Sequence, residues 1–127
     1  MSDQWCEVCD GAEVRRPSTW DPHVMLLDWN ATTANVMRGL EAGQMTYVRF
    51  DVPVEDMSLL AQSELKYTIM TYLRCEVCGR DRAMGLCIRG EPIFRVAQPG
   101  DAEGWPWEKV PDESLWKRTP PATQGAQ

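Results

Sequence analysis

The tetrad Cys-Glu-Val-Cys occurs twice, at Cys6–Cys9 and Cys75–Cys78, with residues 10–74 between the copies. Two cysteines spaced by two residues sit on a tight turn that directs both sulfurs to one side. Two such turns therefore supply four thiolates, the complete shell of a tetrahedral zinc ion. If both turns hold one ion, the 65 residues between them form a loop that the metal closes. Length is a minor obstacle: closure entropy rises by about 0.6 kcal/mol per doubling of the loop, against roughly 10 kcal/mol or more from a structural zinc. Asp10-Gly11 follows the first pair and Gly79 the second. A small residue there lets backbone amides turn toward the sulfurs.

The compartment bears on what five cysteines mean. The N-terminus, MSDQWCEVCD, has no basic stretch followed by an apolar one, so it does not read as a secretory signal. No apolar run approaches the roughly 20 residues of a membrane span. A reducing cytoplasm is the expected home, where cysteines serve metal or redox chemistry more than disulfides. With 127 residues the chain has the length of one domain, and a metal staple adds to a core of that size.

The pairs Cys6, Cys9 and Cys75, Cys78, with the β-rich stretch 64–97, resemble the zinc-ribbon class, in which two Cys-x-x-Cys knuckles at hairpin ends share one ion. The usual spacing in that class is about 15 to 20 residues, so here an α+β segment, 10–74, is inserted between the knuckles. The resemblance implies a structural zinc, since four cysteines leave no open coordination position. Iron also accepts four thiolates. Trp5-Cys6-x-x-Cys9 alternatively reads as a redox pair, although only five residues precede it and such a pair needs a helix N-terminus. Two disulfides, or unpaired thiols, are the remaining alternatives. Cys87 alternates with apolar neighbours and reads as core, and His23 as an ordinary satisfied side chain.

Along the chain, Pro17, Ser18, Asp21 and Pro22 predict a loop after the first knuckle. HVMLLDW at 23–29 predicts a strand, and 33–42 a helix capped by Thr32 or Thr33 and stopped at Gly43. MTYVRFDV alternates, with Val48, Phe50 and Val52 on one side and Tyr47, Arg49 and Asp51 on the other. Residues 55–62 predict a single helical turn. The strongest β signal lies at 64–75, with Leu65, Tyr67, Ile69 and Leu73 on one face. Two further strands join through a type II′ turn at Gly90-Glu91. The fold class is thus α+β: a predominantly antiparallel sheet with one short helix and an irregular C-terminal segment. Residues 1–118 are expected to form one zinc-stapled domain, with the Trp- and Pro-rich stretch 98–118 packed on it, and 119–127 a flexible tail.

Net charge of −6 opposes a nucleic-acid backbone. Only residues 74–97 are positive, with five arginines against three acids. With one histidine, no phosphate loop and no nucleophile elbow, the repertoire for catalysis is thin. The expected function is a non-enzymatic zinc-binding module that binds another protein, in the manner of an inhibitor or immunity protein steered by its acidity toward a basic enzyme. Candidate contacts are Arg80, Arg82, Trp105, Trp107 and Trp116. The alternatives are a nucleic-acid- or transcription-associated zinc ribbon using the arginine patch, and a Cys-x-x-Cys redox protein.

Overall fold

A computed structural model describes residues 4–117, so the tail expected at 119–127 lies outside the described residues. In chain order the elements are β1 (Arg15–Pro17), β2 (Met25–Leu27), α1 (Trp29–Glu41), β3 (Met45–Phe50), α2 (Val54–Ser63), β4 (Thr68–Cys75), β5 (Asp81–Cys87), β6 (Ile93–Ala97) and α3 (Asp101–Gly104). Strands β3-β4-β5-β6 form an antiparallel meander, and β1 pairs with β2 in a separate two-stranded sheet. The chain is therefore α+β and mainly antiparallel sheet.

β4 lies at the centre because its Thr, Ile and Tyr residues suit a pleated surface buried on both sides. Ile69, Thr71, Leu73 and Cys75 face the helices, while Met70 and Tyr72 face the opposite side, and all six are buried. Leu65 and Tyr67, expected to extend this strand, precede it and are exposed. Helix α1 packs on β3, and α2 lies across β4 and β5.

Helix α1 starts earlier than its threonines predict because Asp28 is the cap, accepting the Ala31 amide at 3.0 Å. Thr32 is buried instead, where its hydroxyl accepts the Val14 amide at 3.0 Å and ties the segment after the first knuckle to the helix. Helix α2 runs for ten residues where a single turn was expected. Val54, Met57 and Leu60 recur at helical spacing and are all buried, so tertiary packing extends the turn. The strand expected at 23–29 shortens to β2, which finds its partner, β1, inside the expected loop.

A bulge between Tyr47 and Arg49 breaks the alternation read for β3. Tyr47 opposes Leu73 on the helix side, whereas Arg49 opposes Tyr72 on the other. β5 and β6 are joined by residues 88–92, a connection longer than a two-residue turn, and Gly90 is not among the positive-φ glycines.

After β6 the chain wraps the sheet. Trp107 meets Tyr72 edge-on at 5.9 Å, lies 4.7 Å beneath the Arg49 guanidinium, and donates its indole N–H to the Ala102 carbonyl at 2.7 Å. Farther on, Trp116 is buried within the helix-side core and donates to the Pro111 carbonyl at 2.9 Å. Lys117 closes this strap on Asp56 of α2 at 3.1 Å. The segment thus covers one sheet face with Trp107 and reaches the other with Trp116.

Candidate metal centre

Both Cys-x-x-Cys turns fold the same way. The Cys6 carbonyl accepts the Asp10 amide at 3.0 Å, and the Cys75 carbonyl accepts the Gly79 amide at 2.8 Å, four residues on in each case. The second turn forms the loop of the β4–β5 hairpin, closed by the Cys75 amide on the Arg80 carbonyl at 2.9 Å. Gly79 adopts φ 84°, a conformation glycine enters without penalty. In the first turn, a Cβ on Gly11 would collide with the Glu7 carbonyl oxygen. The small residues after the two pairs therefore serve different ends, backbone hand in one and space in the other.

The two turns meet. The sulfurs of Cys6, Cys9, Cys75 and Cys78 all lie within 4.8 Å of one another. Across the turns, Cys6 Sγ stands 3.8 Å from Cys75 Sγ, and Cys9 Sγ 3.4 Å from Cys78 Sγ. Four sulfurs held about 2.3 Å from one ion stand about 3.8 Å apart, so the cluster has the dimensions of a metal shell. Cys6, Cys9 and Cys75 are buried and belong to the core that includes Val36, Met45 and Leu73. Met45 is the register partner of Cys75, so β3 forms part of the wall.

Around the sulfurs lies a charged shell built from both ends of the loop. Arg80 Nε donates to Cys78 Sγ at 3.3 Å, and Arg82 Nη2 donates to Cys9 Sγ at 3.6 Å. Both guanidinium groups pair with the Asp10 carboxylate, Arg80 at 2.9 Å, and Asp10 also accepts the Cys6 amide at 2.6 Å. Arg80 further binds the Gln4 carbonyl at 2.7 Å. Arg82 is buried, its guanidinium 5.2 Å from the Phe94 ring. Four thiolates around a divalent ion would carry two negative charges, which the two guanidinium groups at contact distance would offset. Asp10 in turn orients both.

Burial and charge oppose each other in the titrations of these groups, and the outcome differs from one to the next. Desolvation pushes the Cys9 thiol up to about 12, reinforced by its contact with Cys78 and opposed by Arg82. At Cys78 desolvation acts in the same sense, but the Arg80 amide and guanidinium and the neighbouring sulfurs outweigh it and bring the thiol down to about 6. Desolvation raises Asp10 too, yet the Cys6 amide, Arg80 and Arg82 hold it below the ordinary carboxylate value.

The candidate contact residues fare differently. Arg82, expected to face a partner, is buried against Cys9 because the sulfur cluster needs its charge. Trp116, expected to be the outward indole, is only 4% exposed, because the strap carries it around the sheet into the helix-side core. Trp105 and Trp107 are half-buried beside Tyr72. Arg80 keeps slight exposure but is engaged by Cys78 and Asp10. Of the arginines in the basic stretch, Arg74 pairs with Asp81 at 2.8 Å and Arg95 with Asp101 at 3.7 Å, so the patch is largely neutralised by its neighbours. Cys87, read as core, is half-buried at the end of β5, 3.7 Å from Thr68 Oγ1 and outside the sulfur cluster. His23 is exposed in the turn between β1 and β2.

Neither Cys-x-x-Cys opens a helix, the placement that a redox pair requires. Asp10 was legible only as a turn residue; the signal for its role is that a carboxylate occupies the position that Gly79 takes in the second turn. No family profile, curated protein or solved structure matches this chain.

Proposed function

We propose that Cys6, Cys9, Cys75 and Cys78 hold one structural zinc ion and that the domain so stapled works by binding another protein. The observation that carries the reading is the mutual approach of four sulfurs to within 4.8 Å, from two turns 69 positions apart. Thiolates suit zinc among abundant ions, and four of them complete its tetrahedron. The ion's role in this reading is to fix the N-terminal turn on the sheet, closing a loop that contains α1, β3 and α2. The experiment is metal analysis of the purified chain together with a melting curve with and without a strong chelator. One zinc per chain and a large chelator-induced fall in melting temperature support the staple, and a chain that melts identically in chelator rejects it.

The binding role is supported by net charge and by exposed aromatic surface. Trp5 and Trp20 are 67% and 68% exposed, and Trp5 immediately precedes the first knuckle. Indoles of this kind are the residues from which protein interfaces draw affinity. An inhibitor-type role against a basic enzyme is the finer form of this proposal. It requires salt-sensitive association with a basic protein that weakens in Trp5→Ala or Trp20→Ala, with the fold unchanged; salt-independent association unaffected by both rejects it.

A further inference from the structure

The four cysteines are unequally accessible. Cys9 and Cys75 are sealed and Cys6 nearly so, while Cys78 is half-buried and the most accessible residue of the four. Beside the Cys78 sulfur stands Arg80 Nε at 3.3 Å, part of a guanidinium that offers donors to the oxygen of an approaching oxidant. Behind it, in the opposite turn, lies Cys9 Sγ at 3.4 Å, a movement of about 1.4 Å from disulfide bonding distance.

We propose that Cys78 is an oxidation site for hydrogen peroxide and that Cys9 resolves it, replacing the metal staple with a disulfide between the same two turns. In the first step the Cys78 sulfur attacks one peroxide oxygen. The O–O bond breaks, hydroxide leaves, and Cys78 becomes a sulfenic acid. In the second step the Cys9 sulfur attacks the Cys78 sulfur and displaces the sulfenic oxygen as hydroxide. Two thiolates have then given up two electrons to one peroxide. Cys6 and Cys75 alone are too few donors to retain the ion, which leaves. A disulfide within either Cys-x-x-Cys would leave no sulfur link between the two turns. Cys9–Cys78 instead closes the loop that the metal had closed, so the oxidised chain keeps its fold.

The inference rests on the metal-centre reading, and the experiment separates the two. A Cys87→Ser chain, in which the fifth thiol is silent, is first assayed for bound zinc, which judges the metal reading alone. It is then titrated with hydrogen peroxide and digested without reductant, which judges the inference whether or not zinc was found. The expected result is a Cys9–Cys78 cross-link by mass spectrometry, with release of any bound zinc to a colorimetric chelator in step with cross-linking. The oxidised chain should melt above the reduced chain stripped by chelator. A Cys6–Cys9 or Cys75–Cys78 disulfide, a Cys78 sulfinic acid without a cross-link, or unreacted thiols overturn it. In Cys9→Ser, a sulfenic acid trapped on Cys78 by a dimedone reagent supports the order of steps; the cross-link map stands without this variant should it fail to fold.

Discussion

Arg82 and Asp10, 72 positions apart, form an ion pair in which the guanidinium is buried against the Cys9 sulfur. The pair joins the knuckle at the chain's start to β5, independently of any ion. Asp10→Asn keeps an acceptor for the Cys6 amide but leaves Arg82 without its countercharge. Removing one partner of a buried pair costs about 3 kcal/mol, which shifts the urea midpoint downward without changing the slope. Adding Arg82→Met to Asp10→Asn should recover part of that loss, and a further additive loss would show that the pairing is not the source.

Serine at Cys9 removes a sealed thiolate and leaves three donors for the ion. Cys9→Ser is expected to bind zinc at least tenfold more weakly and to lose most of the chelator-sensitive part of its melting temperature. Serine at Cys87, outside the cluster, is expected to leave both unchanged. Competition with a chromophoric chelator measures the first effect and calorimetry the second.

The strap offers a contrast between tryptophans. Trp107→Ala removes the edge contact with Tyr72, the cation contact with Arg49 and the bond to Ala102, and is expected to cost about 2 kcal/mol. Trp20→Ala, on an exposed turn, is expected to stay within about 0.5 kcal/mol of the parent. Denaturant unfolding of the two variants tests the difference.

The fold was legible wherever a local pattern coincided with burial. Because spacing and side-chain type are local properties, the twin tetrads located both turns, and the β-rich run read at 64–75 located the central strand, which begins later, at Thr68. What was hidden depends on contacts distant in sequence. Helix α2 forms because Met57 and Leu60 have a core to enter, and the bulge at Val48 turns Arg49 toward Trp107, neither of which residues 45–63 specify alone. The same limit hid the charge logic of the site. Arg80 and Arg82 read as a surface patch until Asp10 and two sulfurs came to meet them.

Asp51 gives a pH signature outside the metal centre. Its carboxyl accepts the Met70 amide at 2.8 Å and lies 3.7 Å from Lys66 Nζ, with both side chains buried. Burial raises its pKa above 3.8, and the Met70 bond and Lys66 only partly reverse this. The native state therefore holds the Asp51 proton more tightly than the unfolded chain does. This contribution to stability is full below pH 3.8 and is lost as pH rises through the raised native value. The difference in unfolding free energy, parent minus Asp51→Asn, is expected to fall across that window, and cysteine contributions cancel in it. A difference that rises with pH would reverse the assignment.

The central claim is one ion shared by two distant turns. Zinc-edge X-ray absorption on the purified chain, with the metal counted on the same sample, is the most direct measurement of it. The account requires one zinc per chain with a first shell of four sulfurs at about 2.3 Å and no nitrogen or oxygen. A metal-free chain whose thiols are all intact and whose fold withstands chelator, or a shell with fewer sulfurs, would contradict it.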